Sequence, residues 1–324
     1  MSLQEICQPI EADLQEFETA FKTNLTSDIF LLDEVIDYVL AHKGKRLRPI
    51  LVFLTCRLNG QVTKETFKAA TIVELLHTAT LLHDDVVDES NLRRGVPTIN
   101  SIWKNKVAIL TGDYLFSKAL TSMVELKNQK VYQVLASATQ RMSQGELLQI
   151  ERDRDYQMEE AVYFRLISDK TASLISVSCQ LGAITAAHNN GQNVEIMKEF
   201  GENLGLAFQI KDDLLDYTGN ESVMGKPTGK DIIENKITLP LLYSLKRSDR
   251  KAAQQIIQIF ERGVTADDIE EISSFVKKNG GLAYASQKAQ FYSQRACQYL
   301  QNYEPSPYKA SLIALVDFIT TRER

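Results

Sequence analysis

Apolar residues recur at three- and four-residue spacing along this chain, most clearly over Phe67 to Asp88, Val107 to Glu125, Val131 to Leu148, Ala161 to Ala187 and Glu195 to Asp216. That period lays an apolar stripe along one side of a helix. Glycine and proline are scarce, at 15 and 7 of 324 residues. Turn and cap residues cluster instead at Lys43-Gly44, Asn59-Gly60, Arg94-Gly95-Val96-Pro97, Asn189-Asn190-Gly191, Gly219 to Gly229, Asn279-Gly280-Gly281 and Pro305 to Pro307. The pattern predicts roughly ten or more helices between these breaks. No Pro/Gly/Ser-rich linker, low-complexity tract or fixed-period repeat divides them. The expected architecture is all-α, a single domain over residues 1–324 folded as a bundle or barrel around a central cavity.

Two of these windows end in acids of the same form, Asp84-Asp85-Val86-Val87-Asp88 and Asp212-Asp213-Leu214-Leu215-Asp216. One such run alone is usually a solvated helix face. Two copies behind apolar runs are another matter, because carboxylates at the ends of largely buried helices are costly unless paired or metal-bound. At 3.6 residues per turn, Asp84 and Asp88 share a helical face, as do Asp212 and Asp216. Hard, oxygen-preferring Mg2+ suits such carboxylates and keeps positions for water and phosphate oxygens. The motifs lie 128 positions apart, so the expected fold closes around both. Phosphate chemistry is the first functional hypothesis.

Composition narrows the classes. A net charge of −5 argues against a nucleic-acid partner, since a phosphate-neutralising surface leaves a domain basic. Cys7, Cys56, Cys179 and Cys297 are dispersed without a CxxC, indicating neither a zinc site nor a disulfide framework and fitting a reducing cytoplasm. No apolar run approaches the roughly 18 residues of a membrane span, and Met1 to Asp13 lacks a signal-peptide pattern.

Cations gather locally. Gly44-Lys45-Arg46-Leu47-Arg48-Pro49 places three in four residues, Arg93-Arg94 follows the first acidic motif, Lys170-Thr171 falls in a helical stretch, and Lys226, Lys230 and Lys236 surround the loop after the second motif. Guanidinium forks are what a diphosphate needs on its metal-free side. Gly219 to Lys226 is not a Walker A loop, being one residue too long with Pro227 where Ser/Thr belongs. Taken together, LLHDDVVDES with LRRG, GKRLRP, FQIKDDLLDY and GKPTGKD, in order from about Lys43 to Leu242, resemble the trans-polyprenyl diphosphate synthases. Length, motif wording and the tail Thr320 to Arg324 point within that family to an octaprenyl product for the ubiquinone side chain. Lys211, directly before Asp212, departs from the family pattern, where an uncharged residue is expected.

The resemblance implies a Mg2+-dependent prenyltransferase, with two to three ions per active site. It condenses isopentenyl diphosphate onto an allylic diphosphate such as farnesyl diphosphate. Asp84, Asp88 and Asp212 would hold metal, with Asp85, Asp213 and Asp216 in support. Arg93, Lys170 and Lys236 would assist departure of the diphosphate. Lys45, Arg48, His77 and Arg94 would grip isopentenyl diphosphate, Thr171 and Gln209 would lie around the allylic tail and diphosphate, and Lys226 would be a further substrate-binding residue. His77 taken alone is more often a satisfied core histidine. A cytoplasmic homodimer, with transient membrane contact for product release, is also expected.

Counting back from Asp84, Thr80, Leu76 and Val73 share its face and would line a product tunnel. Ala79 and Thr80 are small where short-chain members carry bulky aromatics, which predicts a long product. Met123 is the expected floor, although methionine also fills ordinary core gaps. Hepta-, nona- or geranylgeranyl products stay open by the same reasoning. A class I terpene cyclase would leave the Lys45 and Arg48 cluster without a ligand, and a non-catalytic synthase subunit would be expected to lack acids or arginines present here. An HD-type phosphohydrolase at His83-Asp84 would leave the second acidic motif idle.

Overall fold

The computed structural model describes residues 1–187, 193–218 and 229–321. The elements run α1 (Leu3–Cys7), α2 (Glu11–Leu25), α3 (Phe30–Ala41), α4 (Leu47–Asn59), α5 (Lys64–Val87), α6 (Ile99–Glu125), α7 (Gln129–Arg152) and α8 (Glu160–Ile167). They continue through α9 (Ser173–Thr185), α10 (Val194–Thr218), α11 (Lys230–Ile233), α12 (Leu239–Arg247), α13 (Arg250–Arg262), α14 (Asp268–Lys278), α15 (Gly281–Tyr299) and α16 (Pro307–Thr321). All five apolar windows are helical. Two features do not follow from periodicity. A small antiparallel hairpin pairs Leu92 with Pro97 and Arg93 with Val96. A π turn, Ser168–Ala172, interrupts the expected Ala161 to Ala187 helix. One inserted residue leaves the apolar period on either side intact, so only tertiary contacts reveal it.

The chain divides into two compact units, each assembled from separated segments. The first takes Met1–Ser137, Leu174–Lys198 and Gln301–Leu315; the second takes Ala138–Ser173, Glu199–Leu300 and Val316 onward. In the first, α5 is the spine. Thr63 starts it with a reciprocal capping box to Thr66, and Ala69, Ala70, Ile72, Val73, Leu75, Leu76 and Ala79 are buried along it. Small residues there allow close packing on α6, while Phe17, Phe21, Phe53 and Phe67 form a chain of ring contacts at 5.2–6.0 Å. The second unit has two cores. One gathers Met158, Tyr163, Ile167, Leu206, Ile210, Leu214, Leu239 and Leu242, and the other Ile232, Leu241, Ile256, Phe260, Ile272 and Val276. Among the described residues no helix is long and apolar enough to cross a membrane.

Candidate active site

The first acidic motif closes α5. Asp84 and Asp85 lie in its last turn, and Asp88 is the C-cap, its N–H donating to Asp84 O at 2.8 Å. Carboxylates at this end face the negative pole of the helix dipole, which increases the demand for a cation. Asp85 is buried and taken by Arg93, whose Nε reaches both carboxylate oxygens (2.8 and 3.0 Å) and whose Nη2 reaches Oδ1 (2.8 Å). The hairpin makes this possible. Its tip residues Arg94 and Gly95 both have positive φ (54° and 80°), and Arg94 extends its guanidinium against Gly44.

In the same unit, Arg46 caps the start of α4 in the left-handed conformation (φ 53°), an unfavourable one for a residue with a Cβ, which surrounding contacts must hold. Its Nη1 donates to the buried Glu74 at 2.5 Å, its Nε lies 3.4 Å from Glu18, and the guanidinium stacks 4.7 Å over Phe21. Arg46 is therefore the fixed post of the loop that presents Lys45 and Arg48. Burial, opposed by Glu74 and assisted by Arg94, lowers Arg48 to about 10, and its Nε meets no acceptor among the described residues. His77 is held well below the usual histidine range by burial and by Arg48, Arg94, Arg93 and Arg46, so it is neutral at pH 7. Arg46, Arg48, Arg93 and Arg94, with Lys45, here outnumber Glu18, Glu74 and Asp85. The imbalance is positive and suits an anion.

The second unit carries the opposite imbalance. Asp213, 3% exposed, accepts from Tyr163 Oη (2.6 Å) and Gln209 Nε2 (2.9 Å), and Thr171 Oγ1 donates to Gln209 Oε1 (2.8 Å). Asp216 accepts the backbone N–H groups of Lys230 (3.0 Å) and Asp231 (3.1 Å), capping α11. Lys170 Nζ is held by Glu146 and Gln149, both at 2.8 Å, and Lys236 pairs with Glu234 at 2.8 Å. A cavity of about 140 Å³ is lined by Lys170, Thr171, Gln209, Asp213, Asp231 and Lys236, with Gln149, Arg152 and Tyr163. Burial and the neighbouring Asp231 push Asp213 up to about 7 and raise Asp216 as well. Asp231 is itself raised by burial, against the pull of Lys236.

Clustered, buried carboxylates pushed toward neutrality are what a divalent cation would reverse, so the donor set fits Mg2+. Among the described residues no three acid, His or Cys side chains are already set in metal-holding geometry.

Thus the first unit brings together Asp84, Asp85, Asp88, Arg93, Arg94, Lys45, Arg48 and His77, and the second Lys170, Thr171, Gln209, Asp212, Asp213, Asp216 and Lys236. Lys226 lies outside the described residues. Val73, Leu76 and Ala79 are buried on α5, Thr80 donates to His77 O (3.0 Å), and Met123 is half-buried on α6. Sequence reasoning counted Arg46 among the Gly44 to Pro49 cations without giving it a role, and passed over Glu74, Glu146, Gln149, Tyr163 and Asp231. Asp231 closes the quoted GKPTGKD, and Glu74 sits one turn before His77, so for these two a signal existed. Glu146, Gln149 and Tyr163 gave none.

The polyprenyl synthetase family model matches residues 30–278. The octaprenyl diphosphate synthase of Haemophilus influenzae is 35% identical over 97% of this chain and 95% of its own length. The all-trans-nonaprenyl-diphosphate synthase (geranyl-diphosphate specific) of Rhodobacter capsulatus is 34% identical over 96% and 95%. The crystal structure of a Caulobacter crescentus polyprenyl synthase, complexed with calcium and isoprenyl diphosphate, superposes with a TM-score of 0.94 at 34% identity, covering 100% of this chain and 98% of that one. The chain belongs to the polyprenyl synthetase family. It is a polyprenyl diphosphate synthase, a prenyltransferase with the all-α isoprenoid synthase fold.

Proposed function

We propose that this enzyme elongates farnesyl diphosphate with isopentenyl diphosphate by successive trans 1'-4 condensations and stops at octaprenyl diphosphate, a precursor for the ubiquinone side chain. The observation that carries the reading is the pair of opposed charge imbalances, arginine-rich around His77 and carboxylate-rich around Asp213. One suits a bare diphosphate and the other a metal-bearing one. Asp84, Asp88, Asp212, Asp213 and Asp216 are the residues that would hold two to three Mg2+ ions, with Asp85 in support. Bound metal supplies charge stabilisation to the departing allylic diphosphate. Arg93, Lys170 and Lys236 donate to its oxygens as the allylic C–O bond breaks. Thr171, Gln209 and Lys226 orient the allylic substrate.

Lys45, Arg48, Arg94 and the neutral imidazole of His77 hold isopentenyl diphosphate with its alkene toward the developing cation. The alkene's electron pair forms the new carbon–carbon bond, and a proton then leaves to the released diphosphate. Val73, Leu76, Ala79 and Thr80 leave room for a growing chain, and Met123 ends it. We assign the enzyme to the cytoplasm as a homodimer that hands its product to membrane, because each buried CH2 is worth about 0.8 kcal/mol. The test is purified protein with farnesyl diphosphate, isopentenyl diphosphate, Mg2+ and mild detergent, beside Asp84→Ala. A product ladder ending at eight units, absent from the variant, supports the whole reading. Another end point removes the length assignment, and no elongation removes the catalytic one.

A further inference from the structure

The π turn Ser168–Ala172 carries Lys170 and Thr171. A π turn inserts one residue into a helix and persists only where its surroundings over-determine it. Here the clasp is visible. Arg141 of α7 spreads its guanidinium under the turn: Nε donates to Asp169 Oδ1 (2.7 Å), Nη2 to Ser168 Oγ (2.6 Å) and Glu202 Oε1 (2.8 Å), and Nη1 to Glu202 Oε2 (3.2 Å). Ser168 Oγ in turn donates to Glu202 Oε1. One turn along α7, a Cβ on Gly145 would stand 2.6 Å from Lys170 N and 3.0 Å from its Cα. On α10, a Cβ on Gly205 would stand 2.5 Å from Ala172 Cα. Two glycines therefore admit the wide turn, and one arginine fork fastens its start.

We propose that Arg141 and Glu202 are positioning residues that set the register of the π turn, and so aim Lys170 at the Glu146 carboxylate and the Gln149 amide oxygen and Thr171 at Gln209. Relaxation to an α-helical turn would move every later side chain by about one residue, or roughly 100° around the axis. A lysine cannot replace the fork, because one ammonium does not hold Asp169, Ser168 and both Glu202 oxygens in a plane. The inference rests on the reading that Lys170 serves the allylic diphosphate.

A double-mutant cycle tests it, with steady-state kinetics on farnesyl and isopentenyl diphosphates in Mg2+ and a thermal midpoint for each protein. Arg141→Lys and, more gently, Glu202→Gln are combined with Lys170→Ala. Each is expected to lower kcat/KM for farnesyl diphosphate about tenfold, leave KM for isopentenyl diphosphate unchanged, and have a markedly smaller effect once Lys170 is alanine, the remainder passing through Thr171. Equal losses in both backgrounds, or lowered thermal midpoints with unchanged kinetics, would mean a purely structural cluster. If Lys170→Ala alone changes nothing, the reading of Lys170 falls first and takes the positioning role with it.

Discussion

Asp213 is the side chain through which the proposed metal, pH and stability would be coupled. Its carboxyl rises from 3.8 to about 7 because burial and Asp231 disfavour the anion. The folded state therefore binds this proton more tightly than the unfolded chain does. Without metal, that contribution is full below about pH 4 and is lost as pH rises through 7. A divalent cation favours the ionised form instead, so the stabilisation added by Mg2+ should grow between pH 5.5 and 8. Thermal midpoints in Mg2+ and in EDTA across this range check the sign, and Asp213→Asn should flatten the difference. An increment independent of pH would mean that Asp213 is not at a metal site.

At the scale of elements, α5 and α6 pack antiparallel, tied by Lys68 to Glu125 (2.9 Å) near one end and by His83 to Asp113 (3.4 Å) near the other. This register sets Met123 near the level of Ile72, just beyond Val73 and far from the acids. Ala79, 1% exposed, lies between them on α5. Ala79→Tyr should block a chain growing along this path and shorten the product to about the length made by short-chain enzymes, as sized by mass spectrometry. Overpacking of such a site costs about 1–3 kcal/mol, so a lower thermal midpoint is expected alongside. Unchanged product length in a folded variant would place the tunnel elsewhere.

For the molecule as a whole, α6 leaves Ile102, Ile109, Leu110, Leu120 and Val124 exposed, with Leu110 at 58% and Val124 at 64%. Ile109, Leu110, Leu120 and Val124, all on the helical stretch beyond the non-helical Lys104 (φ 74°), form the seam for the proposed second copy. Leu110→Glu with Val124→Glu should convert a dimer to a monomer in light scattering, and a wild-type monomer would refute the assignment.

The helical windows, both acidic motifs and the Lys45, Arg48, Arg93 and Arg94 cations were legible in the sequence, because periodicity and local charge are properties of neighbouring residues. The partners were not. That Arg46 turns left-handed onto Glu74, that Asp85 is taken by Arg93, and that Asp216 caps α11 depend on how the chain between each pair folds back. Asp231 and Tyr163 acquire meaning only beside a buried Asp213, since burial sets their protonation. The π turn at Lys170 was invisible for a related reason: it keeps the apolar period and is imposed by Arg141, Gly145, Glu202 and Gly205 from two other helices. Sequence alone determined the class of chemistry, through which residue types stand at which spacing. Tertiary structure decided which of those groups remain charged and where each points, because desolvation and ion pairing act through space rather than along the chain.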